Sequence, residues 1–206
     1  MLDVLSLNLA DALPNLARAT LALFIIVDPF GNIPVFIGLT DKMEGQQRRR
    51  VFRNATLTGF VLLVIFALTG QGLLTFFGIS LYSFQIAGGI LLLIIAVKLL
   101  IEGEWWNPAG SQASLSAVPL AVPLLVGPGA ITATILNLQE FGIAITLVAV
   151  VAVFLIVWLV LRLVEPVYRF LGKSGSQIIA RIMALFIAAI AVQYIINGIT
   201  YYLPTA

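Results

Sequence analysis

The chain has 206 residues, of which 61% are hydrophobic and 10% charged, with a mean hydropathy of +1.12. Charged residues make up about a quarter of a soluble domain, so this composition excludes an ordinary soluble fold and fits one compact unit of membrane helices. With no cysteine and no histidine, disulfides, thiol chemistry, thiolate metal sites and the commonest general base are excluded, and the net charge of +2 comes from basic residues in loops rather than from a nucleic-acid-binding stripe.

The start of the chain does not read as a secretory signal. Asp3 and Asp11 precede the first arginine, Arg18, and the apolar run that follows is long enough to span a bilayer, so an uncleaved first helix is expected. Six stretches of about 20 apolar residues, the length a hydrocarbon core requires, succeed one another. They cover about 14–40, 51–77, 81–101, 117–138, 141–164 and 178–202. The segment 102–116, with Gly103, Asn107, Pro108, Gly110 and several serines, reads as the one true linker. The expected fold is an all-α membrane protein forming a single transmembrane domain over 1–206: repeat 1 at about 14–101, the linker, and repeat 2 at about 117–203.

Basic residues set the expected orientation. Lys42, Arg48, Arg49, Arg50 and Arg53 lie between spans one and two; Lys98 ends span three; Arg162, Arg169, Lys173 and Arg181 lie between spans five and six. Six spans put these loops on one face, so ten of the eleven basic residues agree and only Arg18 dissents. That face is expected in the cytoplasm, with both termini outside and the chain multi-pass in the inner membrane. Trp105 and Trp106 on the inner side, and Tyr201 and Tyr202 on the outer side, suit the headgroup level.

The halves resemble one another. Ile95-Ala96-Val97-Lys98 matches Ile190-Ala191-Val192-Gln193, and Pro29-Phe30-Gly31 aligns with Pro128-Gly129-Ala130; pairing Pro29 and Pro34 with Pro123 and Pro128 is the other register, and both stay open. Three spans per half is an odd number, so the second half enters from the opposite side, an inverted repeat. Ala180, Ala184 and Ala188 recur every fourth residue, and Gly59, Gly88 and Gly89 add small residues, which let membrane helices approach closely. Close packing within one bundle is the simpler reading of them; a seam between copies is the other.

Two apolar runs are interrupted. The first carries Asp28, Pro29, Phe30, Gly31, Asn32 and Pro34 in a short space; the second carries Pro123, Gly127, Pro128, Gly129 and Ala130. Each proline removes a backbone donor and crowds the preceding turn, and in lipid the freed groups must be satisfied by protein, water or a ligand. Spans one and four are therefore expected to be discontinuous, with the breaks facing inward. Paired interruptions in corresponding halves point to a transporter site. Asp28 is the one acidic residue deep in a span. It is a candidate proton carrier, cation ligand or partner for a substrate ammonium, and equally a cap on the second half-helix. Half-helix starts leave N–H groups unpartnered, and Gly31, Gly127 and Gly129 leave that backbone uncovered for a carboxylate. Thr132 is a further substrate-contact candidate, and Gln85, Thr134, Asn137, Gln193 and Asn197 are weaker candidates for a polar lining.

DPFGNIPVF at Asp28–Phe36 and LLVGPGAIT at Leu124–Thr132 resemble the MarC family of six-span inner-membrane proteins, which includes small neutral amino acid transporters of the SnatA type. The resemblance covers nearly the whole chain. It implies three plus three inverted helices with spans one and four discontinuous, and a substrate such as glycine or alanine moved with protons or sodium. It carries the two glycine-containing breaks and Asp28-Pro29 as site residues. The expected activity is secondary active transport. The alternatives are a channel or exporter for another small solute, or a non-transporting membrane protein. An enzyme is not expected, since Asp28 has no second buried carboxylate for acid–base work. Neither cofactor nor metal is expected; the expected partners are an amino acid, H+ or Na+, the bilayer and, in an oligomer, further copies, with no nucleic acid.

Overall fold

A computed structural model describes residues 9–40, 43–102 and 125–203. Most of the linker, Trp105, Trp106, Pro123 and the first part of the expected fourth span lie outside the described residues. Those described form helices throughout: α1 Leu9–Val27, α2 Ile33–Thr40, α3 Gly45–Phe76, α4 Leu81–Glu102, α5 Pro128–Arg162 and α6 Val164–Thr200. Among the described residues four stretches are long and apolar enough to cross a membrane, namely Gly45–Phe76, Leu81–Glu102, Pro128–Arg162 and Ser174–Thr200, and Ala12–Val27 is a shorter apolar helix.

The helix ends follow from local chemistry. Pro29 disfavours the helical conformation for the residue before it, and α1 stops at Val27. Two later helices bend at glycines whose backbone lies where side chains rarely allow it: Gly142 in α5 (φ 79°) and Gly172 in α6 (φ 64°). The bend at Gly142 falls beside the expected boundary between spans four and five. The expected loop between spans five and six is corrected: residues 164–171 are helical. Val164, Val167, Tyr168 and Leu171 recur at helical spacing and pack on the core, an apolar stripe short enough to pass for a loop.

Two cores result. One joins α1, α2, α3 and α5 around Leu23, Phe36, Leu63 and Val153, all fully buried. The other joins α4 to α6 around Leu92, Ala96, Ala184 and Ala191. Lipid tails are as apolar as leucine, so the second core depends on close approach rather than on expulsion of water. A Cβ at Gly89 would stand 2.7 Å from the Ala191 carbonyl oxygen, and one at Gly198 2.7 Å from that of Tyr82. Ala180 and Ala184 are buried in this seam and Ala188 packs against it, so the alanine stripe is used inside the bundle. At one end of the seam Tyr82 stacks on Tyr201 at 3.6 Å, and the Tyr202 hydroxyl meets those of Ser80 at 2.7 Å and Ser83 at 3.0 Å. At the opposite end of the molecule Arg48 pairs with Glu165 and donates to the Thr40 carbonyl at 2.9 Å, tying α2, α3 and α6 together.

The outer faces carry Leu57, Val61, Ile65 and Leu68 on α3, and Ile178, Ile182, Leu185 and Phe186 on α6, all exposed. Apolar surface of this extent marks contact with lipid.

Candidate functional site

Between α1 and α2 the chain makes a short non-helical turn, 28–32. Asp28 takes φ 42°, the one non-glycine residue with a positive φ among those described. Aspartate tolerates this region better than most residues, and such outliers cluster at functional sites. Its carboxylate, buried in the bundle, accepts the Gly31 N–H at 3.0 Å. The Asn32 side-chain amide donates to the carbonyls of Val27 at 3.2 Å and Asp28 at 3.0 Å, the latter also accepting the Asn32 backbone N–H at 3.2 Å. The first interruption therefore satisfies much of its own backbone. Pro29 is buried within it, and Phe30 is half-buried, edge-on to Phe24 at 6.0 Å.

The start of α5 is built differently. Gly127 is the residue before the helix, Pro128 begins it, and Gly127 has no side chain with which to cap this end. Proline at the first position lacks only a donor that would be orphaned anyway. The N–H groups of Gly129 and Ala130 fall in the first turn, where a helix offers no internal acceptor. Gly129 and Ala130 are buried, Gly127 is half-buried and Pro128 is exposed.

One cavity of about 20 Å³ lies between the two. Asp28 and Asn32 face it from the turn between α1 and α2, and Gly127, Gly129 and Ala130 from the start of α5. Ile26, Leu92, Ile95, Leu125 and Ile187 complete its wall. The space holds about one water molecule, so the site is closed here. Two larger cavities lie elsewhere, near 480 and 630 Å³. Neither receives polar groups from both helix ends, and a site is defined by convergent polar groups rather than by volume.

The remaining candidates divide. Thr132 is buried, donates to the Pro128 carbonyl at 2.9 Å and packs on Gly88, where a Cβ would overlap it. Thr134 donates to Ala130 at 2.7 Å within its own helix. Asn137 donates to the Ala19 carbonyl at 3.2 Å and so ties α5 to α1. Gln193 and Asn197 bond to each other at 2.7 Å on an exposed face, away from the cavity. Gln85 is half-buried, and its Oε1 is buried without a partner among the described residues. None of these six lines the cavity. The wall residues Leu92, Ile95 and Ile187 were not among the sequence candidates, because nothing separates a cavity wall from ordinary core within an apolar helix.

Long apolar helices, lipid-facing outer surfaces and a small polar chamber between two helix ends define an integral, multi-pass, all-helical membrane protein. The model of the MarC family of integral membrane proteins matches residues 13–203. The chain belongs to that family. It is 40% identical to a UPF0056 membrane protein of Archaeoglobus fulgidus, over 86% of this chain and 88% of that one. It is 39% identical to a counterpart in Methanocaldococcus jannaschii, over 86% and 92%, and 35% identical to the membrane protein YhcE of Escherichia coli, over 89% and 91%. No solved structure matches the chain.

Proposed function

We propose that the protein is a secondary active transporter of small neutral amino acids of the glycine and alanine class, driven by a proton or sodium gradient. The observation that carries this reading is the single cavity shared by Asp28 and Asn32 on one side and Gly127, Gly129 and Ala130 on the other. An amino acid needs an anion site and a cation site a few ångströms apart. The uncapped start of α5 offers N–H donors and the positive end of a helix dipole to the carboxylate. Asp28 offers a buried negative group to the ammonium, and serves as the coupling group when it exchanges a proton or binds sodium. Gly31 plays a different part from the one its position in the sequence invites. Its N–H is engaged by Asp28, so it holds the acidic side chain in place rather than receiving the substrate. Thr132 supports the chamber from behind through Gly88.

In this reading α1 and α2 form one discontinuous span, and α5 before Gly142 is the second half of another. The six spans form an inverted repeat, with repeat 1 over about 14–101 and repeat 2 over about 117–203. The basic loops lie in the cytoplasm, both termini lie outside, and the membrane is the inner one. The chamber at about 20 Å³ is too small for an amino acid, and admission of substrate requires α4 and α6 to move away from α1 and α5. No catalysis is assigned.

The test is transport by purified protein in vesicles. Labelled glycine or alanine should accumulate against its gradient when a proton or sodium gradient is imposed. Equilibration that ignores the ion gradient would replace the transporter with a channel, and no flux of either amino acid would remove the substrate assignment.

A further inference from the structure

Remote from the chamber, the groove between the start of α3 and the end of α5 holds a second kind of site. Its cavity, near 480 Å³, is walled by four guanidinium groups: Arg49, Arg50 and Arg53 from α3 and Arg162 from α5. Among the described residues no acidic side chain lines it, and the ion pairs are Arg48–Glu165 and Lys98–Glu102, which involve none of the four. Arg162 is held over the ring of Trp158 at 5.1 Å, a cation–π contact that directs one wall of the pocket.

Two features call for an anion here. Like charges gathered in one pocket repel, and three of them follow closely on the start of α3, whose end supplies no negative charge to offset them. That end has no acidic residue in its first turn, and Glu44 before it makes no side-chain cap. The positive-inside bias explains basic residues in a loop, but not their convergence from two helices on one cavity. Guanidinium groups match phosphate oxygens bidentately.

The apolar side indicates which phosphate. Phe52 and Leu161 are buried apolar residues of the pocket's lining. Deeper along the same two helices, Leu57 and Val61 of α3 and Leu155 and Leu159 of α5 are exposed. A soluble phosphate has no use for that surface, whereas acyl chains do. We propose that this pocket binds the headgroup of an anionic phospholipid, with its phosphate among the four arginines and its chains along the apolar flanks of α3 and α5. Basic pockets between membrane helices take such headgroups. The assignment is independent of what the central chamber carries.

Native mass spectrometry of the full chain, titrated with phosphatidylglycerol and with phosphatidylcholine, tests it. Phosphatidylglycerol should bind preferentially. Arg53→Gln with Arg162→Gln should weaken its binding about thirtyfold, about fivefold for each charge removed. All four arginines are exposed, so the variant should stay folded. Lys98→Gln with Arg181→Gln removes the same charge from elsewhere and should leave binding unchanged. Equal affinity for the two lipids, or equal weakening by the two double variants, would overturn the site. Inorganic phosphate that binds as tightly as phosphatidylglycerol would assign the pocket to a soluble anion and overturn the lipid.

Discussion

The carboxylate of Asp28 accepts the N–H of Gly31 at 3.0 Å, and a Cβ at position 31 would overlap that same carboxylate. One acidic group thus both closes a helix interruption and faces the chamber, and the glycine is what leaves room for it. Under the proposed function, the cap and the coupling group are the same atoms.

Asp28→Asn separates those uses. The amide oxygen can still accept from Gly31, so the thermal midpoint should hardly move, whereas Asp28→Ala should lose about 1 kcal/mol with the cap. Under the proposed mechanism Asp28→Asn abolishes gradient-driven accumulation and spares counterflow exchange. Undiminished accumulation would remove Asp28 from the coupling step.

Gly31→Ala should displace the Asp28 side chain without adding or removing charge. Transport should fall at least tenfold, as misplacement of a positioned group does. Uptake at the normal rate would show that the Asp28–Gly31 geometry is incidental to function.

Gly129 has two explanations, and a double variant distinguishes them. A Cβ there would overlap Leu92 and come within 3.3 Å of Ile26, so packing alone demands glycine. Gly129→Leu should block substrate binding. Gly129→Ala with Leu92→Ala relieves the clash; the fold should recover because the two sites are coupled. Affinity should stay low if the bare main chain receives the carboxylate. Full recovery of affinity in the double variant would reduce Gly129 to a spacer.

Asn137 is expected to matter for stability and not for substrate. Its amide donates to the Ala19 carbonyl across the α1–α5 contact, and both residues are buried. Asn137→Ala should cost about 1 kcal/mol in a detergent unfolding measurement with KM unchanged. A raised KM at unchanged stability would place it in the binding site.

Orientation is open to direct labelling, because the chain has no cysteine of its own. Cysteines at the exposed positions Gln47 and Phe77 sit near opposite ends of α3. A maleimide that cannot cross the membrane should reach Phe77→Cys in intact cells and Gln47→Cys only after the membrane is opened. The reverse pattern would invert the proposed sidedness.

Much of this molecule was legible before any coordinates. Apolar runs of bilayer length mark helices because the backbone in lipid must bond within itself, and the arrest of α1 before Pro29 follows from proline geometry. The turn after α1 and the start of α5 could be located from Asp28, Pro29, Gly31 and Pro128 because these residues act on their own backbone. The helical stretch 164–171 was missed because a two-turn apolar stripe resembles a loop until something packs on it.

Sequence alone determined where α1 stops and where α5 starts, since a missing donor or a missing Cβ acts locally whatever surrounds it. Which polar groups meet was decided only in three dimensions. Asp28, Asn32 and Ala130 converge on one chamber, Gln193 and Asn197 turn away, and Leu92 and Ile187 become a wall, because helix rotation and crossing are set by contacts such as Gly89 on Ala191 and Gly88 on Thr132. Those contacts join residues far apart along the chain, and no local pattern encodes them.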